Sequence, residues 1–411
     1  MATSGRTVER VRVAEAAVAA DDRKPRVVVT CGVFEPGFRG GGSVRSVSRI
    51  LDTAPTDLEI ILVTRDRDLR ATSPYDGLSG RWVQRNHARV FYLNTFRLGQ
   101  WYRLVRELRR RRVSLLYVNS MWDPWFTLVP ICLSLARIIS VQHVVIAPRG
   151  ECSTGALHIK SRKKQSFLKL WRPILVRMGI VWHAATDREA EEIRAIFPAA
   201  QIEVCAEPSP SVPDTTAAPA RERCEGRRFV FIGRIARMKN LRIALEALNT
   251  VSTPVIFDIF GPLEDRRYWA ECERVIAGLP GHVKVSYRGE LDPSAVVTTF
   301  AAYDAFVFPT LGENFGHVIA ESLAGHCPVI CSDNTSWTQV LMAGGGEVVE
   351  NPTGESLGHV LSRWGSMTND EIDKARAAAA VSYRLWQSQH ARSNVLEQLM
   401  QRFTGGYHTW L

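Results

Sequence analysis

A chain of 411 residues with 45% hydrophobic, 23% charged and 9% aromatic residues has the composition of a globular protein, which excludes a disordered or fibrous one. It is longer than one hydrophobic core usually grows, so two domains are expected. The formal charge of +10 is split unevenly, with +14 over residues 1–205 and −4 over residues 206–411. A basic first half points to an anionic partner: a phosphate-bearing substrate, an anionic membrane surface or nucleic acid. A solvated arginine-rich face is the plain alternative. No stretch interleaves aromatic and basic residues as nucleic-acid binders do, so no nucleic-acid partner is expected.

Taken in chain order, residues 1–25 read as a flexible tail, because Glu15 and the acidic residues after it break an alanine-rich run and argue against a signal peptide. From residue 26 onward, short apolar β-branched runs alternate with longer amphipathic stretches, the pattern of parallel strands joined by helices. The strand candidates are residues 26–30, 59–64, 90–93, 115–120, 143–148 and 181–186. Residues 125–140 are apolar but interrupted by Pro130 and Arg137, which predicts a buried core helix and not a membrane span. Residues 206–226 carry four prolines and little to fill a core, so they read as a linker. A second series of strands follows at 227–234, 255–261, 283–289, 305–310, 328–333 and 346–350. The expectation is an α/β chain of two Rossmann-like, doubly wound domains, 26–205 and 227–382, facing a central cleft. Ligands of such sheets sit at the carboxyl ends of the strands.

Eight scattered cysteines, without CxxC pairs or histidines at ligand spacing, read as buried small side chains in a reducing compartment. No acidic pair calls for a metal, since Asp66-Arg67-Asp68 lies in a charged loop. The chain is therefore read as cytoplasmic, with the inner membrane face as a surface it touches.

The chemistry concentrates after the strand ending at Thr310. Glu313-Asn314-Phe315-Gly316 precedes a helix beginning near His317, whose amino end attracts phosphate. Glu321 falls about one and a half turns into that helix at about 3.6 residues per turn, where a carboxylate can accept from two sugar hydroxyls. On spacing alone, two such glutamates are more often partners of the helix dipole. Arg234 and Lys239 follow the first strand of the second series, and fixed cations there would offset charge developing on a phosphate leaving group. The bland reading is a strand-end Arg and a helix-start Lys facing water. Gly40-Gly41-Gly42 follows the first strand and permits close backbone approach, though a triple glycine is often only a turn. Lys160, Arg162, Lys163, Lys164 and Lys169 form a cationic cluster, as do Arg109 to Arg112; His143 and His183 read as packed strand residues.

The run GENFGHVIAESLAGHCPVICSDNTSW, with Glu313 and Glu321, resembles the signature of glycosyltransferase family 4, and FIGRIARMKN resembles its GR-x4-KG motif with Asn240 in place of glycine. The resemblance implies the GT-B fold and a sugar transfer that retains anomeric configuration, without a metal or other cofactor. It implies donor sugar contacts for Glu313, ribose contacts for Glu321, and diphosphate contacts for Arg234 and Lys239. Gly41 and Gly42 would pack on the donor phosphate. Thr310, Asn314, Phe315, Gly316, His317 and Val318 complete the donor set. The segment from Ala147 is similar to a subgroup that writes PRG where relatives carry an active-site histidine, which puts Arg149 there. The expected partners are a nucleotide-sugar donor, with UDP favoured over GDP, and a glycan, lipid-linked or small-molecule acceptor, in polysaccharide biosynthesis among other outlets. Residues 383–411 are similar to a terminal helix that crosses back to the first domain. The rival readings are a nucleotide-sugar epimerase or phosphorylase on the same plan, and a non-catalytic sugar- or nucleic-acid-binding protein.

Overall fold

The computed structural model describes residues 24–153, 161–210, 226–390 and 394–404. The expected tail, most of the expected linker and Lys160 lie outside the described residues.

Two sheets carry the fold. The first contains β1 (Arg26–Cys31), β2 (Glu59–Arg65), β3 (Trp82–Arg85), β4 (Ala88–Leu93), β5 (Val113–Asn119), β6 (Val141–Ala147), β7 (Val181–Ala184) and β8 (Gln201–Val204), in the order β3-β4-β2-β1-β5-β6-β7-β8. The second contains β9 (Arg227–Ile232), β10 (Val255–Phe260), β11 (Val283–Tyr287), β12 (Ala305–Phe308), β13 (Val329–Ser332) and β14 (Gly346–Val349), in the order β11-β10-β9-β12-β13-β14. Among the described residues all strand pairings are parallel except that of β3 with β4. In the first sheet Val28 lies level with Ile61 on one side and Leu116 on the other, all of them buried. Strands covered on both faces need apolar residues on both, which is why every residue of β1 is buried.

The sequence pattern missed β3 and β8. Both are edge strands with half-exposed residues, so neither has the continuous apolar run that marked the central ones. The apolar run 125–140 is a correction. It is helical over Pro124–Leu135, but it buries chiefly Phe126, Thr127 and Ile131 and leaves Leu135 and Ile138 exposed.

Six helices matter below: α1 (Gly42–Asp52), α2 (Leu98–Leu108), α3 (Asp187–Ile196), α4 (His317–Ala324), α5 (Asn369–His390) and α6 (Val395–Thr404). Helix α5 packs Ile372, Ala379 and Tyr383 into the core of the second sheet, whereas α6 packs Val395, Leu396, Leu399 and Met400 into the core around β1, β2 and β4. The chain thus returns to its first half before its end. Asn394 fixes the crossing by donating to the carbonyl of Ile50 at 2.6 Å, and Arg402 pairs with Glu203 at 2.8 Å. β1 and β9 sit centrally in their sheets, so the loops after β1, β9 and β12 all leave carboxyl ends near a point where strand order reverses.

Because Leu399 is fully buried in the first-half core, Leu399→Ala is expected to cost about 2–5 kcal/mol. Urea unfolding checks this, and an unchanged midpoint would show that the returning helix contributes nothing to that core.

Candidate functional site

A cavity of about 850 Å³ lies between the two halves. Its second-half wall includes Arg234, Lys239, Gly261, Glu290, Ser294, Glu313, His317 and Val318, and its first-half wall includes Glu35, Phe38, Arg39, Gly41, Gly42, Arg45, Arg85 and Tyr92. Seven of the residues singled out from sequence therefore share one space: Gly41, Gly42, Arg234, Lys239, Glu313, His317 and Val318.

The pairing at its centre is Lys239 with Glu313, an ion pair between the loops after β9 and β12. Lys239 ends a short 3-10 turn, Arg237–Lys239, which Asn240 closes in a left-handed conformation. Thr310 holds that turn in place: it is fully buried and its hydroxyl lies 3.1 Å from the Met238 carbonyl, while Leu311 N–H donates to the same carbonyl at 2.9 Å. Arg234 pairs with Glu264 at 2.7 Å and remains about half exposed at 47%. Across the cavity, Gly41 has φ +65, and a Cβ there would lie 4.0 Å from the Arg234 Nε; a Cβ on Gly42 would lie 3.3 Å from the His317 ring. The glycine loop thus faces Arg234 and His317 with bare backbone, and the positive φ at Gly41 is a conformation that favours glycine.

Other residues singled out from sequence stand outside the cavity lining. Glu321 does not line the cavity. Its carboxylate is 3% exposed and is held by Arg45 and by Arg49, the latter at 3.0 Å, so in this arrangement it is an ion-pair partner between the halves. Arg149 does not line the cavity either. It takes φ +56 and spends its guanidinium on an ion pair with Glu207, on Asn119 at 2.8 and 3.1 Å and on the Tyr117 hydroxyl at 2.9 Å. Glu207 opens the segment read as linker, yet it is buried at 3% exposure, so that segment begins inside the first half's structure. Thr310, expected in the donor set, anchors the Lys239 turn.

Asn314, Phe315 and Gly316 are also away from the cavity lining. Phe315 packs edge-on against Trp337, 5.6 Å between centroids, and near Trp386 and His317. Trp337 Nε1 and Ser336 Oγ both donate to the Phe315 carbonyl, and Glu313 N–H donates to Asn334 O at 3.2 Å. The segment after β13 is therefore the bracket that holds Glu313 in place. Gly316 adopts φ +81 as the N-cap of α4. The residues that sequence reasoning missed are Arg45, Arg49, Glu189 and Glu207. Arg45 and Arg49 stand four apart on α1, directly after the glycine loop, and that spacing places them on one helix face.

Residues 216–379 match the family model described as glycosyl transferases group 1. The chain is 27% identical over 165 residues to the O-antigen chain mannosyltransferase B of Escherichia coli, a match covering 39% of this chain and 42% of that protein. It thus spans less than half the length of that relative. Among solved structures, sucrose-phosphate synthase from Thermosynechococcus elongatus superposes with a TM-score of 0.70 at 14% identity, covering 93% of this chain and 100% of that one. Anabaena HepE in complex with UDP and glucose does so with a TM-score of 0.67 at 15% identity, again covering 93% and 100%. These likenesses show the fold, which is GT-B.

Burial governs the titration of the site. It pushes the His317 imidazole well below its usual range, with Arg49, Arg45 and Arg149 adding to the effect, so the ring is neutral. Its Nδ1 lies 3.2 Å from an Arg49 donor and its Nε2 2.9 Å from the Ser46 hydroxyl, which assigns the proton to Nε2. Burial raises the Glu321 carboxyl, and Arg45 and Arg49 pull it partly back. Beneath the site, burial lowers His183 to about 3, with Arg149 adding to the shift. Unfolded histidines bind protons below about pH 6.5 and these folded ones do not, so their stabilisation is present above that pH and is lost as pH falls towards the folded values. Each contributes a loss of about 1.4 kcal/mol per pH unit in that window. Urea unfolding is expected to give lower stability at pH 5.5 than at 7.5, with a smaller difference in His183→Gln; an identical difference in both proteins contradicts the assignment.

Proposed function

We propose, for a chain whose second half is a glycosyl transferases group 1 domain on a GT-B scaffold, that it moves a sugar from a nucleotide diphosphate sugar to an acceptor hydroxyl with retention of configuration. The observation that carries this reading is the cavity between the halves, where Arg234 and Lys239 face the glycine loop and Glu313 stands beside Lys239. Arg234 and Lys239 bind the diphosphate, and Glu313 accepts from hydroxyls of the donor sugar while Lys239 keeps it in place. The bond from the sugar's anomeric carbon to the diphosphate breaks, a bond to the acceptor oxygen forms on the same face, and the acceptor proton passes to the departing phosphate. The two cations offset the charge gained by that leaving group, the role a metal plays in other phosphate sites, so the reaction runs without one. A UDP-sugar is the favoured donor, a choice supported by the bound UDP of the Anabaena neighbour.

The acceptor side is the first-half wall, where Phe38, Arg39, Arg85 and Tyr92 offer rings and guanidinium groups to a glycan, a glycolipid or a small molecule. We propose further that this half docks on the anionic inner face of the cytoplasmic membrane. Supporting it, Phe96 and Leu98 are each 83% exposed and Tyr102 68% exposed, and the exposed Arg97, Arg103 and Arg106 stand among them on and before α2. No helix among the described residues is long and apolar enough to cross a membrane.

Arg234→Ala, Lys239→Ala and Glu313→Ala are each expected to lower kcat about 100-fold or more, with wild-type activity unchanged by EDTA. Release of nucleoside diphosphate that depends on acceptor checks this, and unaltered turnover in all three variants contradicts it. In vesicle sedimentation, Phe96→Ser/Leu98→Ser is expected to weaken binding to phosphatidylserine vesicles about a hundredfold or more, since each buried apolar side chain is worth about 1.5–3 kcal/mol; equal binding by wild type and variant rejects the docking surface.

A further inference from the structure

Glu189 lies at the third position of α3, whose N-cap Thr186 accepts from the Glu189 amide at 3.1 Å. A glutamate there ordinarily turns back to the amide of the N-cap residue. This one does not. Its Oε1 accepts from Gly150 N–H at 2.7 Å, and its Oε2 accepts from Ala185 N–H at 2.8 Å and from the Asn314 side-chain amide at 3.2 Å. Glu189 is 1% exposed, so its carboxylate is taken out of water and depends on those donors. Two of them belong to the first half, and the third is the neighbour of Glu313 in the second.

A second contact reinforces the first. Gly150 takes φ +80, and a Cβ there would come within 3.0 Å of the Asn314 Cβ. The loop after β6 therefore presents bare backbone to the Asn314 side chain of the loop after β12, and Glu189 bonds both. We propose that Glu189 is a positioning residue: it registers the Glu313–Gly316 loop of the second half against the first, and so sets where Glu313 stands relative to a bound acceptor. The inference rests on the transferase reading of the cleft. It makes Asn314 a registration contact, away from the donor, and explains why its side chain stays out of the cavity.

Asn314→Asp sets a carboxylate against that of Glu189, and Asn314→Ala removes the bond without repulsion. Both changes fall in a loop held independently by Trp337, Ser336 and Asn334, so the fold of the second half should survive them. UDP affinity by calorimetry is expected to stay within about threefold of wild type while kcat falls about tenfold or more in Asn314→Asp and less in Asn314→Ala. Glu189→Gln, which turns one acceptor into a donor facing N–H groups, should behave like Asn314→Asp. Unchanged kcat in all three overturns the proposal, as does a parallel fall of kcat, UDP affinity and melting temperature, which is the mark of local damage. Small-angle scattering provides a readout independent of turnover: Asn314→Asp is expected to have a larger radius of gyration than wild type, and equal radii overturn the registration. Absence of turnover in wild type with every nucleotide sugar would instead refute the transferase reading and leave the scattering result to decide the role of Glu189.

Discussion

Arg45 and Arg49 of the first half close on the Glu321 carboxylate of the second, and the shape of the cleft follows from that contact. A carboxylate taken almost fully out of water costs several kcal/mol unless cations and hydrogen bonds replace its hydration. Here the replacements come from the opposite half of the chain. Closure and the ionisation of Glu321 are therefore linked, because separating the halves removes the partners that make the buried charge tolerable. The same face of α1 brings Ser46 to His317 and places the glycine loop over Arg234. One helix thus aligns the backbone of the first half with the cationic wall of the second.

Four cations of the cavity lining are held in ion pairs. Lys239 faces Glu313, Arg234 faces Glu264, Arg85 faces Glu35 and Arg45 faces Glu321. Such pairs keep the cations in place without a ligand. Placement matters as much as charge. Thr310 holds the turn that carries Lys239, while Trp337, Ser336 and Asn334 hold the loop that carries Glu313. Much of the polar chemistry around the cavity is therefore support, and only a few side chains are left to meet a substrate.

Both sheets were legible in the sequence wherever a strand is covered on two faces, as with Val27 to Val29 or Phe229 to Phe231. The edge strands β3 and β8 were not, since the exposed Gln84 and the half-exposed Glu203 leave no apolar run. The cavity lining was legible where motif and geometry agree, at Arg234, Lys239, Glu313 and the glycine loop. Glu321, Arg149 and Thr310 lie outside that lining for a common reason. Spacing along a chain shows which residues can face a cleft, but not which of them are already taken by a partner far away in sequence. Glu321 meets Arg45 and Arg49 across more than 270 residues, and Arg149 meets Glu207 in a segment that reads as a linker. Glu189 carried no signal at all, because a glutamate in the first turn of a helix looks like an ordinary cap.

The central claim is that this cleft recognises a diphosphate through Arg234 and Lys239. Calorimetric titration of the wild-type protein with uridine, UMP and UDP tests it most directly. The account predicts that affinity rises sharply only with the second phosphate, and that the increment disappears in Lys239→Ala. Equal affinities for UMP and UDP, or an increment that survives in the variant, would contradict it.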